Sequence, residues 1–143
     1  MTTPTRIESF TGPYRFLSNF WLSTIHLDGL PFYHVEGAFQ AAKTLDEKDR
    51  ERIADMVNPG DAKAAGRKVT MREDWQDVKL GVMEECLRLK FAPGSALARQ
   101  LLDTGDAELI EGNYWNDTFW GVCRGKGENH LGKLLMKVRG ELK

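Results

Sequence analysis

The chain has 143 residues, 41% of them hydrophobic and 29% charged, and its 20 Lys and Arg against 21 Asp and Glu leave a net charge of −1. That length suits one domain, and the composition lacks the low hydrophobicity and high net charge of a disordered chain. Balanced charge argues against broad adhesion to duplex DNA or anionic membranes, while a few local Arg and Lys remain enough to hold one small anion.

The segment after Met1 has no apolar run, and no stretch approaches the length of a membrane span. The expectation is a soluble, cytoplasmic protein with no membrane partner. Residues 7–10 read as a short strand. Residues 20–27 alternate loosely, Asp28-Gly29 comes next, and residues 30–35 make a second run. Asp-Gly between such runs signals a hairpin, because both turn positions tolerate positive φ. Pro31 suits an edge.

Helices dominate the rest of the chain. Val35, Ala38, Phe39, Ala42 and Leu45 recur at helical spacing. Asp61 is placed to cap a short helix through Ala65, ended by Gly66. Trp75, Val78, Val82, Cys86 and Leu89 form the apolar stripe of a longer helix, capped near Asp74 and stopped by Pro93-Gly94. Ser95 caps another through Leu102. Residues 107–111 and 119–122 read as short strands around a polar aromatic loop. Leu131, Leu134, Leu135 and Val138 share one face of a C-terminal helix. The fold class is α+β: one compact, mainly helical domain over residues 1–143, with a small sheet.

Three constellations stand out. Glu36, Gln40 and Lys43 fall within an arc of about 60° on their helix. They are either a solvated face or an acid, an amide and an amine projecting into a cleft, and spacing does not choose. The loop from Glu111 to Gly121 interleaves Tyr114, Trp115, Phe119 and Trp120 with Asn113, Asn116 and Asp117. Aromatic planes stack on bases and a carboxylate stabilises an oxocarbenium-like sugar, but such a loop also packs well on a core. The Gly-rich loop 125–132 leads through Lys133 into the last helix. From Gly127 it matches G-x-x-x-x-G-K, yet Leu134 stands where a nucleotide-hydrolysing loop needs Ser or Thr for Mg²⁺. An anion site and a plain helix-entry turn both remain open there. Arg67-Lys68 and Arg72 flank Trp75 as phosphate contacts or surface charge. His26, His34 and His130 lack metal or triad spacing, and Cys86 and Cys123 form neither a disulfide framework nor a zinc pattern.

Taken in order, these motifs resemble one family. Phe16-Leu-Ser-Asn-Phe20, Glu36-Gly-Ala-Phe-Gln-Ala-Ala-Lys43, Gly66-Arg67 and Arg72-Glu-Asp-Trp75 are similar to the YbiA-like (NADAR) family. Lys90-Phe91, Leu102-Asp-Thr-Gly-Asp106, Glu111, Asp117-Thr-Phe-Trp-Gly121 and Asn129-His-Leu-Gly132 continue the series, so the resemblance runs from Phe10 to Arg139. It implies a compact α+β fold and an N-glycosidase that cleaves a ribose–nitrogen bond with no metal or other cofactor. The implied partners are a small-molecule N-riboside phosphate, such as a ribosylamino-pyrimidine phosphate of riboflavin biosynthesis, or ADP-ribosylated guanine in nucleic acid. Oligomeric state is left open.

The resemblance assigns catalytic positions to Glu36, Lys43 and Asp117. It places Asn19, Arg67, Trp75 and Asn129 on the substrate, and Gln40 joins them from the helix stripe. Lys43 would act as a cation on phosphate or as an amine forming a Schiff base, and Trp75 would stack on the base. Gly37 departs from the His that many members carry there. The rival class is a non-catalytic module that binds ADP-ribose or a nucleotide with the same aromatics and Arg67. It has no evident need for Glu36 and Asp117 together.

Overall fold

A computed structural model describes residues 4–143. Its strands are β1 (Arg6–Ile7), β2 (Ile25–Leu27), β3 (Leu30–Phe32), β4 (Glu108–Leu109), β5 (Gly112–Asn113) and β6 (Val122–Cys123). Its helices are α1 (Val35–Ala42), α2 (Glu47–Ala54), α3 (Pro59–Gly66), α4 (Trp75–Lys90), α5 (Ala96–Leu102) and α6 (His130–Leu142), with a 3₁₀ turn at Gly12–Leu17. The class is α+β and mainly helical, as the periodicities predict. In place of one small sheet there are three separate pairs: β1 with β4 and β5 with β6 in parallel, β2 with β3 antiparallel. Strands of two or three residues offer too few ladder bonds to extend into a shared sheet. Packing divides the chain into two compact units, one Asn19–Lys90 and the other formed by the residues up to Ser18 together with Phe91–Lys143.

In the Asn19–Lys90 unit, β2 and β3 form the expected hairpin. Asp28 (φ 51°) and Gly29 (φ 82°) both take the left-handed conformation that a tight two-residue turn demands. Pro31 pairs with His26 in a two-stranded ribbon, where every strand is an edge. The strands themselves are shorter than the apolar runs suggest.

All eight residues of α1 are buried, and the helix packs against α2, α3 and α4. It stops at Lys43, short of Leu45, which is exposed. The chain turns because Asp46 caps a new helix, its Oδ1 accepting from Asp49 N at 3.0 Å. That helix, α2, escapes a reading by apolar periodicity because Ile53 and Ala54 are its buried residues. Helix α3 starts earlier than Asp61 implies: Asn58 caps it and Pro59 supplies the first turn.

Helix α4 has the predicted extent but a rotated buried face. Met83, Cys86, Leu87 and Lys90 lie inside with Trp75, while Leu89 is exposed. Burial pushes the Lys90 amine down to about 7. Asp74 stands at the start of α4 as expected, its carbonyl accepting from Val78 N at 3.1 Å, while both its carboxylate oxygens accept from the Arg72 guanidinium, at 2.6 and 2.9 Å.

In the other unit, Ser95 caps α5 as expected, its Oγ accepting from Ala98 N at 3.1 Å. Helix α6 packs against α5 and β4 through Leu131, Leu135 and Val138. Arg139 is buried on the same face and donates to Thr104 Oγ1 at 2.9 Å. No helix among the described residues is long and apolar enough to cross a membrane.

Candidate active site

The stripe on α1 is not a solvated face. Glu36 is 7% exposed and Gln40 5%, and Gln40 Nε2 donates to Glu36 Oε1 at 2.9 Å. A carboxyl and an amide held inside an otherwise apolar helix surface are costly unless they bond, and here they bond to each other. The helix start that carries them is fixed on two sides. His34 Nδ1 accepts from Gly37 N at 2.9 Å, and the Asn19 carbonyl accepts from Glu36 N at 3.1 Å.

His34 is a residue that sequence patterns miss, since histidine is not an expected helix cap. Its Nε2 lies 3.1 Å from the Val57 carbonyl, which makes Nε2 the protonated nitrogen and Nδ1 the acceptor. Burial pushes its pKa down, against hydrogen bonds to backbone that raise it. At Gly37 an added Cβ would sit 3.0 Å from the His34 ring. The glycine therefore keeps company with this cap.

Asn19 sits beside Glu36 through that backbone bond. Its Nδ2 points at Met83 Sδ, 3.6 Å away, and its buried Oδ1 accepts nothing. Lys43 follows the last turn of α1, half-buried, with Nζ 6.0 Å from the centre of the Phe39 ring. Burial holds its amine below the ordinary lysine range. Glu36 pulls it back up, while Arg67, Lys63 and Lys79 press it down further. Arg67 is the exposed C-cap of α3. Asn19, Glu36, Gln40, Lys43 and Arg67 thus belong to one unit, on or beside α1.

Trp75 belongs to the same unit but offers no open face. It is 3% exposed, and its ring lies 5.0 Å from that of Phe39. That contact makes it a support beneath α1.

Asp117 and Asn129 lie in the other unit. Asn113 brackets Asp117, donating to its carbonyl at 2.9 Å and accepting from its N–H at 3.1 Å. Asp117 Oδ1 in turn accepts from Phe119 N and Trp120 N, at 3.2 and 2.9 Å. Tyr114 and Trp115 stand out at the loop tip, 81% and 49% exposed. Asn129 takes the left-handed conformation (φ 54°) and spends both ends of its amide on backbone. Oδ1 accepts from Glu111 N, and Nδ2 donates to the Leu109 carbonyl, each at 2.9 Å.

The Gly-rich loop resolves as a helix-entry turn. The first N–H groups of α6, on His130 and Leu131, donate to the carbonyls of Phe119 and Trp120. Donors already used that way are not open to phosphate. Among the described residues no three His, Cys, Asp or Glu gather as metal ligands. Cys86 and Cys123 are free and buried, and burial pushes the Cys86 thiol up to about 12.

Comparison with known proteins supplies the family. Residues 8–143 match the NADAR domain. The chain is 41% identical over 137 residues to the N-glycosidase YbiA of Escherichia coli, covering 94% of this chain and 85% of that one. It is 39% identical over 137 residues to an N-glycosidase of Nostoc punctiforme, covering 92% and 87% of the two chains. A riboflavin biosynthesis protein of Vibrio vulnificus is 38% identical over 130 residues, a match spanning 89% of this chain and 35% of that longer one. The NMR structure of E. coli YbiA superposes with a TM-score of 0.83 at 40% identity, over 96% of this chain and 83% of that one. The family match over nearly the whole length and the identity to full-length relatives together make this chain a member of the NADAR family.

Proposed function

We propose that this chain is an N-glycosidase that hydrolyses the ribose–nitrogen bond of a phosphorylated N-riboside. The enzyme class follows its relatives, two of which are named N-glycosidases. The Vibrio relative is named for riboflavin biosynthesis, which, with the family resemblance, supports a ribosylamino-pyrimidine phosphate as the substrate. The observation that carries the chemistry is the buried Glu36, held by Gln40 one helical turn before a partly desolvated Lys43.

In this reading Lys43 attacks the anomeric carbon of the ring-opened riboside as a free amine. A lysine kept below its ordinary range, with no ion pair among the described residues, suits that role better than a fixed cation on phosphate. Glu36 takes the proton that the attacking nitrogen loses and hands it to the departing nitrogen, whose bond to carbon breaks. Water then adds to the Schiff base and cleaves it, freeing the sugar phosphate and returning the Lys43 amine. Seven residues on one helix separate Glu36 and Lys43 by roughly 10 Å along its axis, so the substrate joins them rather than a direct bond.

Arg67, with the positive field that Lys63 and Lys79 add around Lys43, suits the substrate phosphate. The unpaired Asn19 Oδ1 suits a ribose hydroxyl, because a buried acceptor without a donor is costly until a ligand supplies one. Asp117, in the other unit, is assigned a catalytic role on motif resemblance alone, and Oδ2 is the oxygen its loop bonds leave available. Trp75 and Asn129 contribute by packing and by holding backbone.

The test is a substrate panel read by mass spectrometry, containing a ribosylamino-pyrimidine phosphate and an ADP-ribosylated guanine oligonucleotide, with Glu36→Gln as control. Release of free sugar phosphate or ADP-ribose by the native chain but not by the variant supports the reading. Tight binding with no product release would instead make the chain a binding module.

A further inference from the structure

Gly66, the last residue of α3, takes no part in the proposed chemistry. Its φ lies outside the left-handed range, so its backbone conformation is one that any residue adopts. What singles it out is space. A Cβ built there would overlap Gln40 Oε1 and lie 2.6 Å from Gln40 Cδ. Gln40 Oε1 is itself buried and accepts no hydrogen bond. An amide with a stranded oxygen would ordinarily turn to satisfy it, since a buried unmet acceptor costs free energy. Here turning would set Oε1 against the Glu36 carboxylate, and the slot over Gly66 accommodates Oε1 where it stands.

We propose that Gly66 and Gln40 form one positioning device for Glu36. The missing side chain on α3 makes the slot, the Gln40 carboxamide fills it, and Nε2 is thereby aimed at Glu36 Oε1. Gln40 on this account touches the reacting carboxyl rather than the substrate, and Gly66 acts through Gln40. The proposal rests on Glu36 being the reacting carboxyl, and it goes further by naming what orients that group and sets its proton affinity. An amide N–H bonded to a carboxylate favours the ionised form, so losing it makes the carboxyl easier to protonate.

The test follows the Glu36 side-chain carboxyl by ¹³C NMR titration of the full chain, with Glu36→Gln assigning the signal and no substrate required. Gln40→Ala and Gly66→Ala are each expected to move the titration to higher pH by about one unit. Gly66→Ala added to Gln40→Ala is expected to change little further, because Oε1 and Cδ are gone and only the Cβ of residue 40, 3.0 Å away, is left to meet. If Gly66→Ala alone does not fold, restored folding in the double variant supports the slot, and Gln40→Met carries the titration arm. In assays on a ribosylamino-pyrimidine phosphate, kcat is expected to fall roughly tenfold in Gln40→Ala with KM within about twofold. An unmoved titration in Gln40→Ala, or equal losses from Gly66→Ala with and without Gln40, overturns the proposal. Full activity in Glu36→Gln overturns the proposed function instead, whatever the titration shows.

Discussion

Asp117 Oδ1 accepts from the Trp120 amide at 2.9 Å, so one carboxylate oxygen is committed to shaping the loop that carries it. This separates two effects that an alanine scan would merge. Asp117→Asn keeps a carbonyl oxygen for the Phe119 and Trp120 amides and removes the charge. It is expected to retain the native melting temperature while losing turnover. Asp117→Ala removes the acceptor for those two loop amides as well and is expected to cost about 1 kcal/mol of stability. Full turnover in Asp117→Asn would take the residue out of the chemistry.

Lys43 is expected to form a borohydride-trappable adduct with the sugar during turnover, detected as a mass increase on the peptide containing residue 43. Lys43→Arg keeps a cation and removes the nucleophile, so it is expected to lower kcat by at least about a hundredfold. The rate is expected to rise with pH up to the amine's lowered value, because the free base is the attacking form. Active turnover with no adduct would return Lys43 to a phosphate contact.

Stability is expected to depend on pH in two windows. His34 is held below its ordinary 6.5, so as pH falls through 6.5 the unfolded chain binds a proton that the folded chain resists. Stability therefore drops below 6.5. His34→Asn, which still caps a helix, should flatten that drop. Burial brings Lys90 down to about 7 in the folded chain against 10.5 when free, so stability rises between those values, where the unfolded chain still holds a proton that the folded chain has lost. Urea midpoints at a series of pH values, with Lys90→Met alongside, measure both slopes.

Trp75 is expected to behave as packing. Trp75→Ala leaves a cavity under Phe39 and should cost about 3–5 kcal/mol, whereas Trp75→Phe should retain a fold and a KM close to native. A KM raised tenfold or more in a well-folded Trp75→Phe would instead indicate a base stacked on the indole.

Much of the local structure is legible in the sequence because it is written in short-range signals. Asp28-Gly29 marks its turn, Ser95 its helix start, and the apolar spacing from Val35 to Ala42 the presence of α1. Helix α2 is illegible to periodicity because its surface is polar and two residues at its end are the buried ones. The face of α4 departs from its apolar stripe because Lys90 occupies an inward position that a pattern of apolar residues assigns to Leu89. Asp74 marks the start of that helix, but a nearby guanidinium, which no local pattern records, takes its carboxylate oxygens.

The candidate site divides in the same way. Ordered motifs, from Glu36 through Asp117 to Asn129, are enough to point to the family, because residue types at fixed separations survive without coordinates. The balanced charge is enough to argue against a broad basic surface. Tertiary structure decided what each residue has left to offer. It buried the Glu36–Gln40 pair, turned Trp75 against Phe39, and spent the Asn129 amide and the first N–H groups of α6 on neighbouring backbone. Solvent exposure and hydrogen-bond partners depend on residues distant in sequence, and no local pattern records them. Gly66 is the sharpest case: its importance lies in an atom it lacks, beside a helix that ends more than twenty positions earlier.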